Sequence, residues 1–84
     1  MRVFVVGGTG FLGYHVVRSC LAREWQVTAL GLPPAPPRLF PRGVKVLARD
    51  LDRVPDADLR RLLRGHDAVV FAAGMDERVT AAKP

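Results

Sequence analysis

Apolar positions along the chain alternate between short continuous runs and stripes at helical spacing. Val3-Phe4-Val5-Val6 is an uninterrupted run that begins after Arg2 and stops at Gly7-Gly8. Parallel strands covered on both faces read this way, so Arg2–Val6 is predicted as a buried strand. From Phe11 to Arg23 the spacing turns helical. Leu12, Val16 and Cys20 stand four apart, and Val17 and Leu21 widen the same stripe. Gln26–Leu30 predicts a second strand, Val44–Ala48 a third, and Ala68–Ala72 a fourth that ends at Ala73-Gly74. Between the last two, Leu59, Leu62 and Leu63 mark one face of a second helix. Asp56 is its expected N-cap and Gly65 its stop, and Arg60, Arg61 and Arg64 then face water. Met75–Pro84 carries no strong pattern.

Gly31 to Gly43 holds five prolines: Pro33, Pro34, Pro36, Pro37 and Pro41. Proline fixes φ and removes a backbone donor, so this stretch is a stiff loop and not a helix. The predicted order is β-α-β-loop-β-α-β. Strands alternating with helices give a parallel sheet with right-handed crossovers. The expected class is α/β, a Rossmann-type doubly wound parallel sheet, with residues 1–84 forming one domain or part of one.

Composition narrows the function classes. A chain that is 49% hydrophobic and 25% charged is ordinary for a globular domain. Thirteen Lys and Arg, eleven of them Arg, face eight Asp and Glu, for a net charge of +5. The charges are spread along the chain with acids among them, which reads as a solvated surface before a nucleic-acid patch. A basic nucleic-acid-binding domain ranks last among the functions considered. No apolar stretch approaches a membrane span, and Met1-Arg2 leads straight into a β-rich run without a secretion leader. The expected compartment is the cytoplasm. The single cysteine, Cys20, excludes an internal disulfide and any multi-cysteine metal site. On the apolar stripe with no base beside it, it reads as a buried structural thiol. His15 and His66 stand outside metal-ligand spacing and are expected at the surface or at helix ends, so no metal site is expected. Asp52 is expected as a turn or cap residue, and Trp25 as packing at the helix–strand junction.

The most informative segment is Gly7-Gly8-Thr9-Gly10-Phe11-Leu12-Gly13. It parses as G-x-x-G-x-x-G from Gly7 or as G-x-G-x-x-G from Gly8. An early glycine permits the sharp turn from strand to helix. Gly10, without a side chain, lets a pyrophosphate approach the backbone, and Gly13 lets the helix pack closely on the strand. The helix start, with the N–H groups of Phe11 and Leu12, offers free donors and a favourable dipole to the phosphates. The segment follows a strand, opens a helix and precedes a second strand, which is the context that makes such a string specific. A P-loop is excluded because no Lys-Ser or Lys-Thr follows a glycine.

With these features the chain resembles the short-chain dehydrogenase/reductase superfamily, in its extended branch of NAD-dependent epimerases and dehydratases or the related atypical branch. Four segments carry the resemblance: Val5 to Gly13, Asp50-Leu51, His66 to Phe71, and Ala72-Ala73-Gly74. It implies that Gly7, Thr9, Gly10, Phe11, Leu12 and Gly13 surround the pyrophosphate. It implies that Asp50 and Leu51 border the adenine, and that Ala72, Ala73 and Gly74 line the ribose next to nicotinamide.

The chain departs from the family in three places. An acidic residue is expected about 20 positions on, at the end of the second strand, to hold the adenosine ribose. Gly31 and Leu32 stand there instead. A 2′-phosphate would not be repelled, and Arg38 or Arg42 from the proline loop is a candidate to neutralise it, so the cofactor, NAD or NADP, leans to NADP. Second, the family's acid–base work resembles that of a Tyr with a Lys four residues later. The one tyrosine, Tyr14, is followed four residues on by Arg18, so it reads as helix surface or packing and no catalytic residue is expected here. Third, family members continue well beyond the fourth strand, so an N-terminal fragment is expected. Its partners would be the dinucleotide and a missing C-terminal half or a second copy. The expected function is the dinucleotide-binding portion of an NAD(P)-dependent epimerase, dehydratase or reductase-like oxidoreductase. The alternative is a non-catalytic NADP(H)-binding sensor or regulatory module.

Overall fold

The computed structural model describes residues 1–34 and 38–72. Four parallel strands, β1 (Arg2–Val6), β2 (Gln26–Gly31), β3 (Lys45–Ala48) and β4 (Ala68–Phe71), form one sheet in the order β3-β2-β1-β4. Helix α1 (Phe11–Ala22) links β1 to β2, and α2 (Asp56–Leu63) links β3 to β4 after a single 3-10 turn at Leu51–Arg53. The chain turns back after β3 and crosses to the far side of β1, which is the switch in strand order of a Rossmann-type fold.

The continuous apolar run of β1 has its reason in two covered faces. Val3 and Val5 join Val17 and Cys20 of α1 with Val27 and Ala29 of β2. Phe4 and Val6 point the other way, with Leu30, toward Leu47, Leu51, Leu62 and Leu63. Phe4 is fully buried, a contribution of about 2–3 kcal/mol by transfer from water. Cys20 is buried and Trp25 packs against the α1-side core, as their positions in the sequence implied.

The α1 stripe differs from the expected one. Gly13, Val17 and Cys20 are its buried residues, with Val16 and Leu21 packed beside them. Leu12 is 40% exposed, because it lies in the first turn, where the helix has only begun to cover the sheet. The helix closes with Glu24 in the left-handed region at φ 61 and the Trp25 N–H on the Cys20 carbonyl at 3.1 Å. At α2 the expected N-cap is corrected. Pro55, extended at ψ 149, stands at the cap, and Asp56 is the first helical residue, with no side-chain cap bond. Its carboxylate and that of Asp58 instead sit in the first turn, where the helix dipole favours them. Gly65 ends this helix at φ 83, as the sequence predicts.

His66 is half-buried just past the end of α2, where its N–H donates to the Leu63 carbonyl at 3.2 Å, so of its two expected places the helix end holds. Its Nε2 lies 3.0 Å from Thr28 Oγ1, its Nδ1 lies 3.2 Å from the Leu63 carbonyl, and its ring stands edge-on to Phe4 at 5.2 Å. A carbonyl only accepts, so in the neutral ring Nδ1 carries the hydrogen and the Thr28 hydroxyl donates to Nε2. Asp67 holds the start of β1: its carboxylate accepts the Arg2 N–H at 2.7 Å. Tyr14 stacks on Phe40 at 5.5 Å and accepts a hydrogen bond from Arg18 at 3.0 Å, a packing role that ties the proline loop to α1.

Candidate functional site

The C-terminal ends of β1, β2 and β3 and the start of α1 lie along one edge of the sheet, and of the predicted site residues Gly7, Thr9 to Gly13, Asp50 and Leu51 stand at or beside it. The glycine turn is pinned to β2 by two hydrogen bonds. Gly7 and Gly8 both donate to the Leu30 carbonyl, at 2.6 and 3.1 Å. Gly7 takes φ 84, the left-handed conformation that admits glycine at no steric cost.

The glycines of this turn have different reasons for being glycine. A Cβ on Gly8 would lie 2.6 Å from the Ala29 side chain, so Gly8 is what brings the turn against β2. A Cβ on Gly13 would run into the Gly7 carbonyl, so Gly13 lets α1 sit on the turn itself. Gly13 thus brings α1 close to the residues that follow β1, and Gly8 brings the turn close to β2. Gly10 is the exception. Its added Cβ would meet only the Gly7 carbonyl, at 3.4 Å, and its φ of −83 and ψ of 177 suit any residue. Nothing among the described residues requires glycine at position 10. The face it keeps bare is the one at the start of α1.

That start is electrostatically open. The first intrahelical bond runs from the Tyr14 N–H to the Gly10 carbonyl at 2.8 Å. The N–H groups of Phe11, Leu12 and Gly13 are therefore those a helix leaves without intrahelical partners. No acidic side chain lies in the first turn of α1, whereas α2 has Asp56 and Asp58 in its own. The positive end of the α1 dipole is left for an external anion. Phe11 is 73% exposed, and its ring meets His15 edge-on at 5.0 Å.

Ala72 flanks the turn on the side of β4. It is buried, and its N–H donates to the Val6 carbonyl at 2.8 Å, one residue before Gly7. Ala73 and Gly74 lie outside the described residues. On the side of β2, Gly31 ends the strand beneath Thr9. A Cβ there would run into Thr9 Oγ1 and stand 2.8 Å from Thr9 Cβ. The place where the dinucleotide signature expects an acid is thus filled by Thr9.

Asp50 follows β3. One of its carboxylate oxygens accepts the Asp52 N–H at 3.1 Å and the other lies 3.7 Å from Arg53 Nε. Asp50 is therefore the capping residue, Asp52 is a residue of the 3-10 turn it caps, and Leu51 turns inward to the core on the α2 side. Beside them lies a groove of about 520 Å³ lined by Leu32, Pro33, Ala48, Arg49, Asp50, Arg53, Val54 and Pro55. Arg38 is exposed at φ 59 and is not among its lining residues. Gly8 and Gly31 were legible at the site from the sequence; Arg49 and Arg53 were not. The signal for these was two arginines close to Asp50. Among the described residues no group of His, Cys, Asp or Glu could hold a metal ion, and no helix is long and apolar enough to cross a membrane.

Residues 7–83 match the NAD(P)H-binding family. No curated protein matches the chain. Among solved structures it is similar to a UDP-glucose 4-epimerase from Thermus thermophilus in complex with NAD, at 34% identity and a TM-score of 0.67 over 87% of this chain and 24% of that one. A nucleoside-diphosphate-sugar epimerase from Pseudomonas aeruginosa is 26% identical, with a TM-score of 0.71 over 100% of this chain and 28% of that one. An oxidoreductase from Lactococcus lactis is 25% identical, with a TM-score of 0.69 over 96% of this chain and 36% of that one. The chain thus spans between about a quarter and about a third of the length of these structures. From the match over residues 7–83 and the shared fold, the chain belongs to the NAD(P)H-binding family, as a Rossmann-type domain akin to the short-chain dehydrogenase/reductase-like epimerases.

Proposed function

We propose that residues 1–84 are the dinucleotide-binding portion of an NAD(P)-dependent epimerase, dehydratase or reductase-like oxidoreductase. The observation that carries this reading is the bare face of Gly10 beneath an α1 N-terminus that holds no acid of its own. A pyrophosphate fits that arrangement in both charge and space. Gly7 and Gly13 shape the turn, Thr9 and Gly10 front it, and the N–H groups of Phe11 and Leu12 donate to phosphate oxygens. Asp50 and Leu51 border the adenine. Ala72, followed by Ala73 and Gly74, approaches the second ribose.

When bound, the nicotinamide accepts or supplies a hydride. The residues of this chain bind and orient the cofactor, and the acid–base work belongs to residues outside it. Tyr14 is unsuited to that work, because its ring stacks on Phe40 and its hydroxyl is held by Arg18. NADP is favoured over NAD, because the end of β2 has no carboxylate to repel a 2′-phosphate. Calorimetric titration with NADPH and, separately, NADH tests the reading, with Gly10→Glu as the control. Saturable binding lost in Gly10→Glu is the expected result. A folded chain that binds neither dinucleotide, or a Gly10→Glu variant that binds as well as the parent, overturns it.

A further inference from the structure

We infer that the outer face of α1, with the loop before β3, binds single-stranded nucleic acid: exposed rings stack on bases and arginines hold the backbone phosphates. The inference stands apart from the dinucleotide reading and uses side chains that reading leaves idle. Four rings from two distant segments meet here. Phe11 stands edge-on to His15 at 5.0 Å, His15 edge-on to Tyr14 at 5.6 Å, and Tyr14 stacks on Phe40 at 5.5 Å. The row has a held end and an open end. Tyr14 and Phe40 are half-buried, and Phe40 packs against the core between α1 and the sheet. Phe11 and His15 are both exposed, so two adjacent rings are open to a flat ligand.

Charge decides which ligand. Arg18 is exposed and lies over the Tyr14 ring at 5.8 Å. Arg38 and Arg42 stand two residues to either side of Phe40, both exposed. Helix α1 holds no acidic residue along its whole length. Among the described residues the ion pairs lie elsewhere, Arg53 with Asp50 and Arg61 with Asp58. Arginines that read as dispersed along the sequence are thus brought together by the stack of Tyr14 on Phe40, which joins the loop to α1. Rings among cations suit bases joined by phosphates: every base has a π-face, and guanidinium forks suit phosphate oxygens. A duplex keeps its base faces stacked on one another, so the unpaired strand is the form that fits. Phe11 and Arg18 are seven residues apart on the helix. That is about 10 Å at the helical rise, the length of about three stacked bases.

The test is fluorescence anisotropy of labelled oligouridine and oligothymidine strands with the 84-residue chain across a salt series. Both strands are expected to bind, with Kd between about 1 and 100 µM at physiological salt. Phosphate contacts from Arg18, Arg38 and Arg42 give a slope of about −2 for log affinity against log salt. Phe11→Ala should weaken binding about fivefold to tenfold with that slope unchanged, because stacking is lost and charge is kept. His15→Ala should weaken it similarly, and His15→Phe should restore it, since a ring remains. Arg18→Ala should flatten the slope by about 0.7, and Arg18→Lys should bring it back. Arg60→Ala, on α2 at the opposite face of the sheet, is the charge-matched control and should move neither quantity. Circular dichroism checks that each variant folds. A folded chain without saturable binding overturns the inference. So does an Arg60→Ala variant that behaves as Arg18→Ala does, which would make binding a matter of net charge alone. Polyglutamate that competes as well as unlabelled strands, or a duplex bound as tightly as a single strand, overturns it too.

Discussion

Gly8 and Gly10 stand two residues apart in one turn, and the same substitution at each should have opposite effects. At Gly8 an added methyl would lie 2.6 Å from Ala29 Cβ, 3.3 Å from Ala29 Cα and 3.4 Å from a Val17 methyl. Carbon atoms in contact prefer about 3.5–4.0 Å, so the turn and β2 must part by roughly 1 Å. Overpacking of this kind costs about 1–3 kcal/mol. In a domain of this size each kcal/mol moves Tm by roughly 4–8 °C, so a mid-range cost lowers it by about 8–16 °C. At Gly10 the nearest atom is the Gly7 carbonyl oxygen at 3.4 Å, and the backbone is extended. Alanine there loses glycine's preference for the N-cap, at most about 1 kcal/mol. It gains about 0.4–1 kcal/mol from a less flexible unfolded chain. Gly10→Ala should therefore melt no more than about 5 °C below the parent. It should nonetheless bind NADPH at least about tenfold more weakly, since its methyl stands on the face proposed for phosphate. Thermal melts followed by circular dichroism, then titrations, measure both effects. Equal losses of Tm in the two variants would refute the reasoning, as would a Gly8→Ala protein that melts with the parent.

Other consequences follow from contacts distant in sequence. Gly31→Ala should lose about 1–3 kcal/mol in denaturant unfolding, and a Thr9→Gly background should suppress the loss; additive effects would mean the two residues do not meet. His66→Leu leaves the Thr28 hydroxyl buried without a partner and should cost about 1–3 kcal/mol, part of it recovered by Thr28→Val. Strict additivity of those two substitutions would contradict the hydrogen bond. Cys20 is buried against β1 and β2, so a thiol reagent should modify it slowly in the native chain and rapidly in denaturant. Comparable rates in the two conditions would contradict its burial.

The strands were legible because their signal is local. β1 is apolar at every position after Arg2 since both its faces are covered, and Gly7-Gly8 ends it sharply. The glycine turn was equally visible as a string of residue types. What its glycines do was not, because a missing side chain does not say what it would have met. Gly8 answers to Ala29, Gly13 to Gly7, Gly31 to Thr9, and Gly10 to no close neighbour among the described residues. Three of these relations depend on neighbours that only the folded chain brings together. Leu12 shares the spacing of Val16 and Cys20, yet it sits at the helix start, where there is little sheet to cover. The bond between His66 and Thr28 spans 38 residues and leaves no local pattern. Arg49 and Arg53 looked like two more charges in an arginine-rich chain. The neighbouring end of β2 is what makes them part of a groove.

The measurement that tests the central claim most directly is an amide correlation NMR titration of the isotopically labelled chain with NADPH. The account predicts the largest shifts at Gly7, Gly10, Phe11, Leu12 and Gly13, with further shifts at Asp50, Leu51 and Ala72. Saturating shifts confined to other surfaces, with the amides at the start of α1 unmoved, would contradict it.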